Sequence, residues 1–387
     1  MRFDKLAGPA LVLLPVLLLG AAADPGAGPE ESAADDGEEA GAALLMGRPP
    51  ALLLEGGTAA QRVPESTKVR YPPYALRLGQ EGWVQMSFCV SPAGEVIDPV
   101  VEQSSGGEVF EQAALEGLRG SRFVPATWQG QPVLQCATRV LFQFKIAGQT
   151  GGRRSFLRAY RGVNALLSAG RLDEAQARLD TLRDEGGWNL YESSWLKLLQ
   201  GNVQQRRGDL DDAMHSVSAG IAGKVKYIER QAYRIAVVQL FKLQVATRHY
   251  REALDTWADI QELNPALDDP EVDRLAREVR SRIDSPQYLE FSGEIRRRAN
   301  PDEDHPHWQH ALLRRKFGFE AVEGKVDEFE LRCDWRRVRA PVSTEVVLEL
   351  PASWGNCDVF VFGDAGAKLK LVEYPIAATS QTPPPGP

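Results

Sequence analysis

Cysteine and histidine are scarce in this chain of 387 residues, with four of the first and five of the second. No two cysteines stand in a CxxC spacing, so the common zinc-ribbon and thioredoxin-type readings have nothing to rest on. Also missing are GxSxG, HExxH, a phosphate-binding loop and a dinucleotide fingerprint, and with them the motifs that would announce a hydrolase, a zinc protease or a nucleotide enzyme. The chain therefore reads as a non-enzyme, and no cofactor is expected. A basic field is missing too: 45 Lys and Arg stand against 53 Asp and Glu, for a net charge of −8. Nucleic acid is thus not an expected partner. Nearly all of the negative excess lies between Asp24 and Ser66, where nine acidic residues face only Arg48 and Arg62.

What is present divides the chain into modules. Residues 1–23 carry Arg2 and Lys5, the apolar run "LAGPALVLLPVLLLG" and a small-residue end at Ala21 and Ala23, the three zones of a signal peptide. An uncleaved inner-membrane anchor is the alternative, because the run continued through Ala23 is about 18 residues long, near the lower limit for a span. Gly8, Pro9 and Pro15 argue for cleavage, and hence for a periplasmic protein. Residues 24–66, rich in Ala, Gly, Glu and Asp, read as a disordered acidic linker in which the patch "ALLLEGG" is the one candidate for docking.

An α+β pattern occupies residues 67–148. "GWVQMSFCV" alternates as a strand, "SPAGEV" turns, "VIDPVVEQS" resumes, "EVFEQAALEGLRG" has helical spacing, and "CATRVLFQFKI" is a final strand. A hairpin followed by a right-handed helical crossover places the third strand beside the first, in the order 2-1-3. The start of the third strand then lies next to the end of the first, which brings Cys136 beside Cys89 for a disulfide. Two buried free thiols are the alternative, less favoured in an exported protein.

Residues 155–285 are helical, with a weak repeat in "GRLDEAQARL", "GDLDDAMHSV" and "RHYREALDTW". Ala175, Ala213 and Ala253 recur at intervals of 38 and 40 residues, each where a small side chain lets two helices approach closely. These units resemble tetratricopeptide repeats, with "DDPEVDRLAREVRSRI" as a polar capping helix. Residues 286–376 return to short strands and predict a small β-sandwich, in which Cys333 ends one strand and Cys357 begins another, placed for a second disulfide. Residues 377–387 read as a disordered tail. The one metal-type cluster is His305, His307 and His310 beside Asp302, Glu303 and Asp304. Zinc or copper is one reading. A polar loop leading Trp308 and His310 into a strand is the other, and no metal is assigned, because no distant ligand set is apparent.

With these elements placed, Arg70 to Ile146 resembles the C-terminal domain of TonB, the periplasmic energy transducer of Gram-negative bacteria. The residues that carry the resemblance are "YPPYALRLGQEGWVQMSFCVSPAGEVIDPVVEQSS", Phe110 with Ala113 and Ala114, then "SRFVPATWQGQPV" and "RVLFQFKI". The resemblance implies that the domain binds an extended segment, the TonB box of an outer-membrane transporter, as a strand added beside the final strand. By position, Arg139, Val140, Leu141, Phe142, Gln143, Phe144 and Lys145 form that edge, and Lys68, Val69, Arg70 and Tyr71 also meet the partner. An unpaired strand edge can be extended by main-chain hydrogen bonds, which agrees with the mode. The apolar N-terminus has no His, Ser or Thr for contact with a proton-driven motor, and the linker is short for a stalk across the periplasm. The expected function is therefore an envelope adaptor that binds a protein or peptide. Two alternatives stand beside it, a membrane-anchored transducer and a metal-binding or hydrolytic C-terminal domain.

Overall fold

The computed structural model describes residues 41–46, 57–63, 69–105, 107–146, 151–223, 227–263, 269–296 and 306–375. The apolar N-terminus, the patch at residues 51–56, Lys68, His305 with its acidic neighbours and the C-terminal tail lie outside them. The chain is α+β. Its first module comprises β1 (Gly41–Met46), β2 (Gly57–Thr58), β3 (Gln61–Arg62), α1 (Pro73–Arg77), β4 (Gly82–Val90), β5 (Val96–Ser104), α2 (Glu108–Arg119), β6 (Phe123–Val124), β7 (Ala126–Trp128), β8 (Gln131–Val133) and β9 (Gln135–Lys145).

The main sheet has the order β1-β9-β4-β5, with every neighbouring pair antiparallel. The 2-1-3 arrangement expected from the hairpin and crossover is there as β5-β4-β9. One correction concerns the stretch expected to be a disordered linker, because β1, β2 and β3 all fall inside residues 24–66. Strand β1 pairs with β9, β2 with β7 and β3 with β6. The patch "ALLLEGG" proposed for docking lies almost wholly outside the described residues; the docked segment is "GAALLM".

One sheet face is the core of the module. Val84, Met86, Phe88 and Val90 from β4 and Val140, Phe142 and Phe144 from β9 pack against Phe110, Ala114 and Leu118 of α2. Alternation within the strands dictates this, since residues two apart share a face. Gly82 leads the chain past the helix so closely that a Cβ there would sit 2.6 Å from the Phe110 ring. Gly94 makes the hairpin turn at φ +78°, where a Cβ would lie 2.1 Å from the carbonyl oxygen of Phe123. A disulfide joins Cys89 to Cys136.

Among the described residues seven helices follow: α3 (Arg154–Ser168), α4 (Leu172–Glu185), α5 (Leu190–Arg207), α6 (Leu210–Ile221), α7 (Arg230–Ala246), α8 (Tyr250–Leu263) and α9 (Pro270–Ile283). They share one core in which Ala175, Ala213 and Ala253 are fully buried. At the α5–α6 contact a Cβ on Gly201 would meet the carbonyl oxygen of Ala213 at 3.3 Å, so small residues do set the approach of that hairpin. Helix α5 begins with a capping box, in which Asn189 accepts from the Glu192 amide and the Glu192 carboxylate accepts from the Asn189 amide. Arg153 pairs with the same buried Glu192 at 2.6 Å, tying the start of α3 to α5.

The last module is a two-sheet sandwich of β10 (Leu289–Glu294), β11 (His307–Ala311), β12 (Lys316–Glu323), β13 (Val326–Cys333), β14 (Arg337–Pro341), β15 (Val347–Glu349), β16 (Cys357–Gly363) and β17 (Lys368–Tyr374). The sheet orders are β10-β17-β12-β15 and β11-β16-β13-β14. Phe291, Phe317, Phe319 and Leu371 from the first sheet meet Phe329, Leu331, Val359 and Val361 from the second in one core. Cys333 and Cys357 stand directly opposite on β13 and β16 and are bonded. Helix α9 leaves Arg274, Arg277, Glu278 and Arg280 exposed and buries Val272, Ala276 and Val279. Val279 enters the sandwich core, and the buried Arg314 guanidinium donates to the carbonyls of Ile283 (2.9 Å), Gln287 (2.6 Å) and Ser285 (2.7 Å) just past the helix end.

Candidate partner-binding edge

The second face of the main sheet is covered as well. Trp83 packs with Leu190, Ala219 and Tyr227 of the helical region, Leu141 joins that cluster, and the Tyr227 hydroxyl donates to Gln143 Oε1 at 3.3 Å. Glu81, just before β4, accepts from the Leu190 amide at 2.9 Å and from the Ile146 amide at 2.6 Å. Its carboxylate thus sits at the positive end of α5, which stabilises a negative charge there. Burial pushes the Glu81 carboxyl up, and the two amides oppose that shift.

Farther along the same face the sandwich takes over. Glu102 on β5 accepts from Arg139 Nε at 3.0 Å and from Gln85 Nε2 at 2.9 Å, so a polar row crosses β9, β5 and β4. Asp358 and Arg332 of the sandwich face this row across a small cavity that also includes Ser87. Asp358 in turn pairs with Arg251 of α8 at 3.1 Å. Burial raises the Asp358 carboxyl, with Arg251 and Arg139 opposing. Main chain also crosses the boundary, because the Cys136 amide donates to the Asp334 carbonyl at 3.1 Å. Three modules therefore meet around the base of β9.

The two outer strands of the β9-β4-β5 core differ in their edges. Strand β5 carries Pro99, a left-handed Asp98 at φ +43° and two register shifts against β4. Arg332 of the sandwich donates to the Asp98 carbonyl at 3.2 Å, and Arg337 pairs with the Asp98 carboxylate. Proline, a bulge and covering side chains are the usual means of blunting a sheet edge. Strand β9 has none of these along Val140–Lys145. Its register with β1 runs unbroken from Gly41 opposite Lys145 to Met46 opposite Val140.

The expected site residues fall into two groups. Arg139, Leu141 and Gln143 lie on the face shared with the other modules; Val140, Phe142 and Phe144 are buried in the module core. Tyr71 belongs with the core, its ring edge-on to Phe144 (5.7 Å) and Phe110 (6.1 Å) and its hydroxyl donating to the Gln80 carbonyl at 2.5 Å. Burial, aided by Glu81, raises the Tyr71 hydroxyl above its ordinary value, so it stays protonated. Val69 packs on α2 where Gly117 leaves room, and Lys68 lies outside the described residues. The structure thus brings Tyr71 to the aromatic row of β9. What sequence reasoning missed is β1 itself, for which the only signal was a short apolar run inside an acidic stretch.

Of the histidine cluster, His307 and His310 are among the described residues. Alternation on β11 sends His307 toward Phe360 and Phe362 and His310 to the opposite face, where its Nε2 lies 2.8 Å from Glu373. These two side chains cannot share a metal. Among the described residues no helix is long and apolar enough to cross a membrane.

A comparison with curated proteins gave no match. Residues 67–146 match a family model described as Gram-negative bacterial TonB protein C-terminal. That span starts two residues before the described Val69 and ends at the close of β9, so the module built above carries a TonB C-terminal domain.

Proposed function

We propose that this chain is a periplasmic adaptor of the Gram-negative envelope that captures an extended protein segment by strand addition at Val140–Lys145 of β9. A TonB C-terminal domain supports a protein-interaction role in the envelope, and the two disulfides favour an oxidising compartment. The observation that carries the reading is the β1–β9 pairing: this edge accepts an antiparallel strand over six consecutive residues, whereas the β5 edge is blunted. Main-chain bonds would supply affinity, and alternate side chains of the partner would meet two different surfaces. One continues the row Val140, Phe142 and Phe144 with Tyr71. The other continues Leu141 and Gln143 with Tyr227.

A transporter TonB-box segment is the partner class that fits this mode. The helical hairpins, read as tetratricopeptide-like units, would act as a scaffold that braces the sheet from behind through Glu81 and Trp83. A photoreactive group introduced at Lys145, at the end of the edge, tests the reading. With a TonB-box peptide at millimolar concentration it should crosslink the peptide, while the same group at Glu95 beside β5 should not. Crosslinks confined to Glu95, or none at either position, would contradict the proposal.

A further inference from the structure

Strand β1 occupies the same backbone edge that the proposed partner strand would need, residue for residue from Val140 to Lys145. We propose that Gly41–Met46 is a tethered plug for that edge, an intramolecular pseudo-ligand that a partner must displace. This rests on the reading of β9 as the binding edge and adds its regulation. Two strands cannot pair with one edge at once, since each backbone donor and acceptor on that side serves a single neighbour.

The plug is built to be displaceable. It is six residues long, and Gly41, Ala42 and Ala43 have low strand propensity. Among the described residues it pairs on one side only. By contrast, β4 is nine residues long and pairs on both sides, with β9 and with β5. The plug is also built to return. Residues 47–56 lead from Met46 to Gly57, and from there the chain is held on the same module: Gly57–Thr58 pairs with β7, Gln61–Arg62 pairs with β6, and the Ala60 amide donates to Gln135 Oε1 at 2.8 Å. Gln135 lies on β9 five positions before Val140, the partner of Met46, a spacing of roughly 17 Å along the strand. A connection of this length holds its end at an effective concentration of about a millimolar. If free β1 peptide bound the edge with a Kd of about 0.1 mM, the plug would occupy it about nine-tenths of the time. The apparent affinity for a partner would then be about tenfold weaker.

The test compares the full chain with a Leu44→Pro/Leu45→Pro variant. Backbone donors alternate in direction along a strand, so two adjacent prolines remove at least one donor directed at β9 whatever the pairing phase. The probe is a labelled TonB-box peptide, read by fluorescence anisotropy and by hydrogen exchange at Val140–Lys145. The expected result is peptide binding about tenfold tighter to the variant, and faster exchange at those amides in the variant without peptide. A free peptide of sequence GAALLM should then compete with the label on the variant. That competition keeps the test open should the prolines disturb more than β1. Equal affinity for both chains, or no competition by GAALLM, overturns the plug while leaving the edge reading intact. No binding to either chain removes the edge reading and the plug with it.

Discussion

Breaking the Cys89–Cys136 bond should weaken the hold on the start of β9. The bond closes a loop spanning 47 residues, for which the chain-entropy relation assigns about 4 kcal/mol to the cross-link. The site makes the loss local. Register between β4 and β9 shifts between Phe88 and Val90, so the ladder is interrupted where the disulfide sits. The Cys136 amide is, moreover, tied to the Asp334 carbonyl of the sandwich, so a frayed β9 start also loosens the contact between modules. The perturbation is Cys89→Ala with Cys136→Ala, read by denaturant unfolding and by hydrogen exchange resolved to β4 and β9. A loss of about 2–5 kcal/mol is expected, with exchange at Gln135–Thr138 accelerating before that at Phe142–Lys145. Cys333–Cys357 serves as the internal control: it closes 24 residues, corresponds to about 3.5 kcal/mol and lies directly opposite in β13–β16. If the Cys89–Cys136 double variant unfolds at the wild-type midpoint, the assignment of that bond as the clamp of β9 is wrong.

Two further expectations concern the folded frame. Burial alone would raise the Glu330 carboxyl, but Arg337, Arg332 and Arg339 together outweigh it and bring it down to about 2 from an ordinary 4.5. A carboxylate lowered in the folded state contributes stability that is complete above about pH 4.5 and is lost as pH falls through 2, here roughly 3 kcal/mol. Unfolding free energy measured from pH 7 to pH 2 should show Glu330→Gln well below wild type at neutral pH and converging with it in acid; parallel curves would count against the cluster. Gly94→Ala should cost more than 2 kcal/mol, because the turn needs φ +78° and the new Cβ would meet the Phe123 carbonyl at 2.1 Å. A melting temperature within a degree of wild type would show that the turn can relax around it.

Much of this frame is legible in the chain itself, for identifiable reasons. The hairpin, the crossover helix and the final strand have distinct periods, and handedness then leaves one sheet order, from which the proximity of Cys89 and Cys136 follows. The helical hairpins are readable through Ala175, Ala213 and Ala253, because close helix approach demands small side chains. Strand β1 is a different case. "GAALLM" has neither alternation nor β-branched residues, and its pairing is made by main chain, which leaves almost no side-chain signature. The contacts between modules are hidden for a similar reason. Nothing near Glu81 in the chain announces that its carboxylate will meet the first amide of α5, 109 residues away. In "DEDHPHWQH" adjacency in sequence gathers His307 and His310, which strand alternation then separates across β11. Arg139 carries both kinds of information: its place on the edge strand is evident, whereas its link through Glu102 toward Asp358 and Arg251 emerges only when three modules are assembled.

The central claim is that β9 is the edge at which a partner strand adds. The most direct measurement is an isotope-filtered NMR experiment on the full chain saturated with a TonB-box peptide, reading nuclear Overhauser contacts between peptide backbone protons and the amide and α protons of Val140–Lys145. The account predicts a continuous ladder of such contacts along β9, accompanied by loss of the contacts between Gly41–Met46 and the same residues. A peptide located instead beside β5 or on the helical hairpins, with the β1–β9 contacts undisturbed, would contradict it.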